Sequence, residues 1–130
     1  MIKSIKKISL CLFCIYIIAV VLLCVIHTSS IPELPKTIFG IPFDKIAHFI
    51  MFLPFVILSY SSFAPEGKGT GRKLAVLAIF LLLGCIFAFS TEKLQAMTAY
   101  RSYEIMDLAA DATGLVCGTL ITFAYIIKTR

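Results

Sequence analysis

Charged residues are scarce in this sequence: Asp, Glu, Lys and Arg together make up only 15% of its 130 residues. Hydrophobic residues account for 60% of the chain, far above the roughly 45–50% apolar usage of soluble domains. The mean hydropathy of +1.00 is equally extreme. This composition excludes an ordinary soluble domain and indicates a protein that lies in a membrane.

Several site signatures are also missing. The glycine-rich stretch 64–73 lacks the G-x-x-x-x-G-K-[ST] pattern and a preceding strand, so it does not indicate a phosphate-binding loop. There is no H-x-x-x-H or comparable spacing, and we therefore expect neither a metal ion nor another cofactor. The basic residues flank apolar runs without forming a stripe with interleaved aromatics, so the net charge of +5 does not point to nucleic acid.

The cysteines form no disulfide or redox pattern. Cys11 and Cys14 make a C-x-x-C, but no second pair accompanies them and no βαβ pattern surrounds them. A thiol within an apolar run behaves as a small hydrophobe. All five cysteines lie in such runs: Cys11, Cys14, Cys24, Cys85 and Cys117. We expect no disulfide framework in this chain.

The apolar residues are gathered into four runs of roughly 18–20 residues, the length at which a helix crosses a hydrocarbon core about 30 Å thick. These predicted spans cover residues 8–26, 46–63, 74–91 and 108–127. They predict an all-α membrane protein, a bundle of four transmembrane helices in a single domain over residues 1–130. The first run is longer than the apolar core of a secretory signal, about 7–15 residues, so we interpret it as a retained span.

The flanking charges predict how the bundle is oriented. With the N-terminus in the cytoplasm, eight Lys and Arg residues lie inside and four lie outside, in agreement with the positive-inside rule. The acidic residues do not enter that count, yet only Glu66 falls inside. The predicted outer acids are Glu33, Asp44, Glu92, Glu104, Asp107 and Asp111. We therefore expect a multi-pass protein of the cytoplasmic membrane, with both termini in the cytoplasm and its polar chemistry outside.

Polar residues at the predicted outer helix ends form the candidate site. Asp107 and Asp111 are four residues apart, and they share a face of the fourth span with Gly114 and Gly118. Glycines at that spacing are typical of a helix-packing seam, so the two aspartates should face the bundle interior. Glu92 is predicted to lie at the electronegative C-terminal end of the third span, where a carboxylate needs a cationic partner. The candidates at the same membrane level are Lys45, Arg101 and a protonated His48.

The second span also begins with polar residues four apart, Asp44 and His48. A carboxylate at a helix N-terminus is favoured by free N–H groups and by the helix dipole, so a simple capping role stays open for Asp44 and Asp107. Asp111 lies one turn deeper, where capping does not explain it. His48 taken alone fits a packed histidine, but its acidic neighbours favour a functional one.

These residues occur in an order that resembles the VanZ-like family of small bacterial membrane proteins, named for a member associated with low-level teicoplanin resistance. The resemblance covers about residues 44–118 and consists of D-K-x-x-H at 44–48, E-x-x-Q at 92–95, Arg101, and D-x-x-x-[ND]-x-x-G-x-x-x-G at 107–118. Two positions depart from the family pattern: Asp111 replaces a more frequent asparagine, and Phe52 lies near a common tyrosine. The resemblance implies a bacterial cytoplasmic membrane protein and leaves the chemistry open.

Three functions remain open for the candidate site, which comprises Asp44, Lys45, His48, Glu92, Gln95, Arg101, Asp107 and Asp111. In the first, the site binds a cell-wall precursor, a lipid headgroup or a lipoglycopeptide and lowers antibiotic action. In the second, it is catalytic, with His48 or Glu92 as general base and Arg101 stabilising charge during cleavage of a phosphodiester or glycosyl link. In the third, it is a polar network that locks three helices together.

The expected partners are membrane lipids together with a cell-wall precursor or glycopeptide. Arg101 is suited to hold a phosphate or carboxylate bidentately, and Lys45 would add a point charge. The oligomeric state stays open, because Gly114 and Gly118 could pack within one bundle or between copies.

Overall fold

The structure is a computed structural model that describes residues 2–26, 36–99 and 101–129. Its long helices are α1 Ile2–Val25, α2 Phe43–Phe63, α3 Thr70–Ala96 and α4 Ile105–Lys128. Each of these helices is long and apolar enough to cross a membrane. The predicted fold class, an all-α membrane protein with a bundle of four transmembrane helices, is confirmed.

The helices extend beyond the apolar runs of the sequence because their ends carry polar side chains. Helix α1 begins at Ile2, ahead of the run that starts at residue 8, and its first turns carry lysines. The Lys6 ammonium pairs with the Glu66 carboxylate at 2.8 Å and donates to the Ala64 carbonyl at 2.7 Å. Lys6 lowers the pKa of the exposed Glu66 carboxyl below its usual value. These contacts tie the start of α1 to the connection that follows α2.

A short β-hairpin precedes α2, in which β1 Thr37–Ile38 pairs antiparallel with β2 Ile41–Pro42. Its turn residues Phe39 and Gly40 have φ values of 50° and 79°, and two positive φ values are what a tight two-residue hairpin turn requires. Glycine reaches this conformation freely, whereas it is rare for an aromatic residue. This hairpin is not among the elements predicted from the sequence. The predicted outer acid Glu33 lies outside the described residues.

Helices α2 and α4 form the most extensive contact in the bundle. Gly114 and Gly118 lie directly against the α2 backbone, since a Cβ at Gly114 would fall 2.5 Å from the Phe49 carbonyl oxygen and one at Gly118 would clash with that of Leu53. Such an approach is possible only where the facing residue has no side chain. Asp111, one turn before Gly114 on the same face, is consequently directed toward α2.

The hydrophobic core lies between the helices, and the outward faces stay apolar. The core consists of Phe52, Phe55, Val56, Tyr60, Leu77, Ala88, Leu115 and Ile126. Large side chains such as Ile79 and Leu82 of α3 remain more than half exposed. Exposed aliphatic surface of this extent would be unfavourable in water and suits contact with lipid chains.

Candidate functional site

One end of the bundle gathers most of the acidic residues, and we call it the acidic end. Helices α2 and α4 begin there and α3 ends there. Among the described residues, the buried polar side chains at the acidic end include His48, Glu92, Gln95, Asp107 and Asp111. Burying a charged group costs free energy unless the group is paired, so the contacts among these side chains determine what the site can do.

Lys45, in the first turns of α2, connects α2 to α4. Its ammonium donates to Asp44 at 2.9 Å, to Glu104 at 2.6 Å, and to Asp107. Asp107 is buried, whereas Asp44 and Glu104 keep about half of their side-chain surface, 43% and 52% respectively. Asp44 and Asp107 also lie in the first turns of α2 and α4, where the helix dipole favours a carboxylate. Lys45 is therefore shared by three carboxylates and offsets only part of their negative charge.

The His48 imidazole lies among three carboxylates. Nδ1 is 2.8 Å from Oδ1 of Asp111 and 3.8 Å from Oε1 of Glu92, while Nε2 is 3.6 Å from Oδ2 of Asp107. Only the contact with Asp111 is short enough for a hydrogen bond. An N–H at Nδ1 donated to Asp111 fixes the orientation of the ring and leaves Nε2 facing Asp107.

Glu92 is 1% exposed, and among the described residues neither of its carboxylate oxygens has a hydrogen-bond donor. The second oxygen of Asp111, Oδ2, lacks a donor in the same part of the chain. A buried polar group without a partner costs about 1–3 kcal/mol, and more when it is charged. Such groups are rare in native structures and call for an explanation. The site thus holds carboxyl oxygens beside His48 that have no hydrogen-bond donor among the described residues.

A cavity of about 580 Å³ lies between α1 and α2 and opens onto the acidic end. Its walls are mainly apolar, and its polar and charged lining comprises Tyr16, Asp44, His48, Gln95 and Arg101. The Tyr16 hydroxyl donates to the Met51 carbonyl at 2.6 Å, which fixes α1 against α2 along this wall. The volume falls within the range of about 300–1,000 Å³ that small-molecule sites occupy.

Comparison with known proteins assigns the chain to a family. The profile of the VanZ/LLP1 family matches residues 13–128, which is most of the chain. This chain belongs to the VanZ/LLP1 family. No curated protein and no solved structure matches it significantly. Together with the four membrane-length helices, membership makes it a VanZ-like multi-pass membrane protein of a family linked to antibiotic resistance.

The structure brings all the predicted site residues of this VanZ/LLP1 protein to the acidic end, in two groups. Those of the first group form the buried cluster and its Lys45 bridge: Asp44, Lys45, His48, Glu92, Asp107 and Asp111. Gln95 and Arg101 stand apart from this cluster and line the cavity. Gln95 Nε2 lies 3.5 Å from Cys24 Sγ on α1. Among the described residues, Arg101 forms no ion pair with Glu92, whose nearest basic group is His48.

Glu104 is a member of the site that the sequence did not indicate. The sequence predicts it only as an outer acid, whereas in the structure it binds Lys45, which lies 59 positions earlier. No local spacing signals a contact over that separation.

Within the described part of this VanZ/LLP1 protein, two sets of side chains have the donor atoms that a cation requires. Asp44, Glu104 and Asp107 form the first set, and the Lys45 ammonium already lies among them. His48, Glu92 and Asp107 form the second set, in which one donor atom from each residue lies within 4.8 Å of the others. Asp107 belongs to both sets, with Oδ1 toward Lys45 and Oδ2 toward His48.

Proposed function

We propose that this VanZ/LLP1 protein binds a lipid-linked cell-wall precursor or a lipoglycopeptide at the outer surface of the bacterial cytoplasmic membrane, and that binding lowers susceptibility to teicoplanin-type antibiotics. The observation that carries the proposal is the junction between the apolar cavity and the acidic end. The apolar walls of the cavity lie between α1 and α2, and they lead to the polar side chains of Asp44, His48, Gln95 and Arg101. A ligand with a lipid chain and a polar head is complementary to both parts.

The polar part of the cavity suits the head of such a ligand. Arg101 offers a planar set of donors that matches a phosphate or carboxylate bidentately. Asp44 and the amide of Gln95 provide acceptors for sugar hydroxyls or peptide N–H groups. The lipid chain and the polar head of the ligand would thus meet the apolar and the polar parts of the cavity respectively.

The distribution of basic residues supports an outward-facing acidic end. Seven of the eight cytoplasmic positions expected from the positive-inside rule are among the described residues, and they flank the opposite ends of the helices: Lys3, Lys6, Lys7, Lys68, Arg72, Lys73 and Lys128. Lys6 and Glu66 meet there, at the start of α1 and just beyond the end of α2. A site that modulates an antibiotic acting on the cell wall needs to face the outer side of the membrane, as the acidic end would in this orientation.

Filling the cavity tests the proposal. Ala47 lines the cavity and is solvent-exposed in the structure, so Ala47→Phe should occupy ligand space without disturbing the core. Ala78→Phe on the exposed face of α3 is the matched control. Binding of a fluorescent lipid-linked cell-wall precursor, and separately of labelled teicoplanin, is measured on protein in lipid nanodiscs. We expect Ala47→Phe to weaken binding at least tenfold and Ala78→Phe to leave it unchanged. Equal binding by both variants would contradict the proposal.

The His48–Asp111 hydrogen bond favours a second candidate function, cleavage of a phosphodiester or glycosyl link in an envelope substrate. A histidine oriented by a carboxylate is the arrangement that general-base catalysis uses, and here the bond is 2.8 Å long. Arg101 would then stabilise developing negative charge. Incubating the purified protein with a radiolabelled lipid-linked precursor separates the two functions. Turnover that His48→Gln abolishes would establish the enzyme, and binding without turnover would establish the binding protein.

A further inference from the structure

We infer that His48, Glu92 and Asp107 form a binding site for a divalent transition-metal ion of the Zn²⁺ class. The three residues belong to α2, α3 and α4, so the ion would join the three helices at the acidic end. The inference goes beyond the proposed envelope ligand, because the ion would be held by side chains of the protein alone.

The distances in the cluster suit a shared ion better than direct hydrogen bonds. A tetrahedral Zn²⁺ with N and O ligands at about 2.0–2.2 Å holds its ligand atoms roughly 3.4 Å apart. Nε2 of His48 lies 3.6 Å from Oδ2 of Asp107, too far for a hydrogen bond. One donor atom of Glu92 lies within 4.8 Å of a donor atom of each of the other two residues, and Oε1 of Glu92 is 3.8 Å from Nδ1 of His48. Coordination through Nε2 would require the Glu92 carboxylate to move from the Nδ1 side of the imidazole toward Asp107.

Glu92 provides an independent reason to expect a ligand at this point. Its carboxylate is buried, lies beside His48, and accepts no hydrogen bond from the described residues. Hydrogen-bonding networks inside proteins normally satisfy such groups. A metal ion would satisfy Glu92 directly and would remove the cost of burying its charge.

The charges in the cluster also leave room for a divalent cation. Glu92, Asp107 and Asp111 are the buried acids, and among the described residues their ion pairs are made with Lys45 and His48. Lys45 is in addition shared with Asp44 and Glu104. With a neutral imidazole as metal ligand and with Glu92, Asp107 and Asp111 ionised, Lys45 offsets one of these three buried negative charges, and a divalent ion would offset the other two.

Asp111 is placed to orient the metal ligand. It accepts a hydrogen bond from Nδ1 of His48 at 2.8 Å, which leaves Nε2 with a lone pair for the ion. Carboxylates commonly hold metal-binding histidines in this way. One imidazole nitrogen with two carboxylate oxygens favours Zn²⁺ over Mg²⁺ or Ca²⁺, which prefer ligand sets made of oxygen alone.

Metal titration of the untagged full chain tests the inference. The five cysteines are replaced by alanine, because thiolates also bind Zn²⁺. The detergent-solubilised protein is stripped with a chelator and titrated with Zn²⁺ by calorimetry and with Co²⁺ by visible absorption. We expect one equivalent bound per chain with micromolar or better affinity, and the strong visible bands of Co²⁺ with four ligands, namely the three side chains and one water. A cysteine-free chain that binds neither ion below millimolar concentration would overturn the inference.

Variants then locate the ion. Glu92→Gln should weaken Zn²⁺ binding at least 100-fold and abolish the Co²⁺ bands, whereas Glu66→Gln at the opposite end should leave both unchanged. Unaltered affinity in Glu92→Gln would place the ion elsewhere and overturn the assignment. Should Glu92→Gln fail to fold by circular dichroism, His48→Asn provides the same test. No envelope ligand is present in these titrations, so their failure is distinguishable from failure of the proposed function.

Discussion

The imidazole of His48 on α2 is hydrogen-bonded to the carboxylate of Asp111 on α4, with 2.8 Å between Nδ1 and Oδ1. Both side chains are buried. The same two helices also approach closely at Gly114 and Gly118, which lie one and two turns further along α4. These glycines have no side chain to hold the two backbones apart. The polar site and the closest helix packing therefore belong to one interface, and a change in either should affect the other.

Removing Asp111 should destabilise this interface. Asp111→Ala leaves the Nδ1 donor of His48 buried without an acceptor, and we expect the free energy of unfolding to fall by about 1–3 kcal/mol. Asp111→Asn keeps an acceptor oxygen and should lose less. Thermal unfolding in detergent, followed by helical circular dichroism, compares the two variants. A melting temperature of Asp111→Ala equal to that of the wild type would contradict the role of this hydrogen bond.

Adding one methyl group at Gly114 should separate α2 from α4. The new Cβ would fall 2.5 Å from the Phe49 carbonyl oxygen, so Gly114→Ala should destabilise the protein by about 1–3 kcal/mol through overpacking. Gly71→Ala is the matched control, because a Cβ added there would meet no atom within 4 Å and alanine favours the helix by up to about 1 kcal/mol. The same unfolding measurement applies, and similar effects at both positions would show that the α2–α4 seam is not tightly packed.

Much of this fold follows from the sequence. The four apolar runs predict four membrane-length helices, and the structure has them. Helical periodicity alone puts Asp107, Asp111, Gly114 and Gly118 on one face, and that face lies against α2. Such predictions succeed because they depend on local periodicity and on the length of a bilayer-spanning helix.

The pairing within the site did not follow from the sequence. Glu92 is predicted to need a cation, and spacing alone could not choose among His48, Lys45 and Arg101. In the structure its nearest basic group is His48, at 3.8 Å. The contact of Lys45 with Glu104 joins residues 59 positions apart. These pairings depend on how three helices rotate against one another, which is a tertiary property. The β-hairpin was missed because Phe39 adopts a positive φ that its residue type does not signal.

Lys45 should be the main electrostatic link between the starts of α2 and α4. Lys45→Met removes the donor shared by Asp44, Glu104 and Asp107 while keeping a side chain of similar length. Hydrogen bonds to charged groups contribute about 1.5–3 kcal/mol, so we expect the free energy of unfolding of Lys45→Met to be lower than that of the wild type by this amount. Lys45→Arg should recover most of it. Chemical unfolding in detergent measures the stability of both variants. A Lys45→Met variant as stable as the wild type would argue against an electrostatic link between α2 and α4.

Glu92 should contribute to function while its buried carboxylate lowers the stability of the protein. Glu92→Gln replaces an unpartnered buried carboxylate by a neutral amide, which is less costly to bury. We therefore expect a melting temperature of the metal-free protein equal to or above that of the wild type, together with loss of any effect on teicoplanin susceptibility in cells. Glu66→Gln at the opposite end is the control. A lower melting temperature with the susceptibility effect retained would instead identify Glu92 as part of a structural network.

The proposed function depends first on which side of the membrane the acidic end faces. A cysteine-free chain carrying Ser102→Cys, an exposed position between α3 and α4, is labelled in intact cells with a membrane-impermeant thiol reagent. Lys68→Cys, exposed in the connection between α2 and α3, is the paired control. We predict labelling at position 102 in intact cells and at position 68 only after the membrane is opened. The reverse pattern would place the acidic end in the cytoplasm and contradict binding of an external envelope ligand.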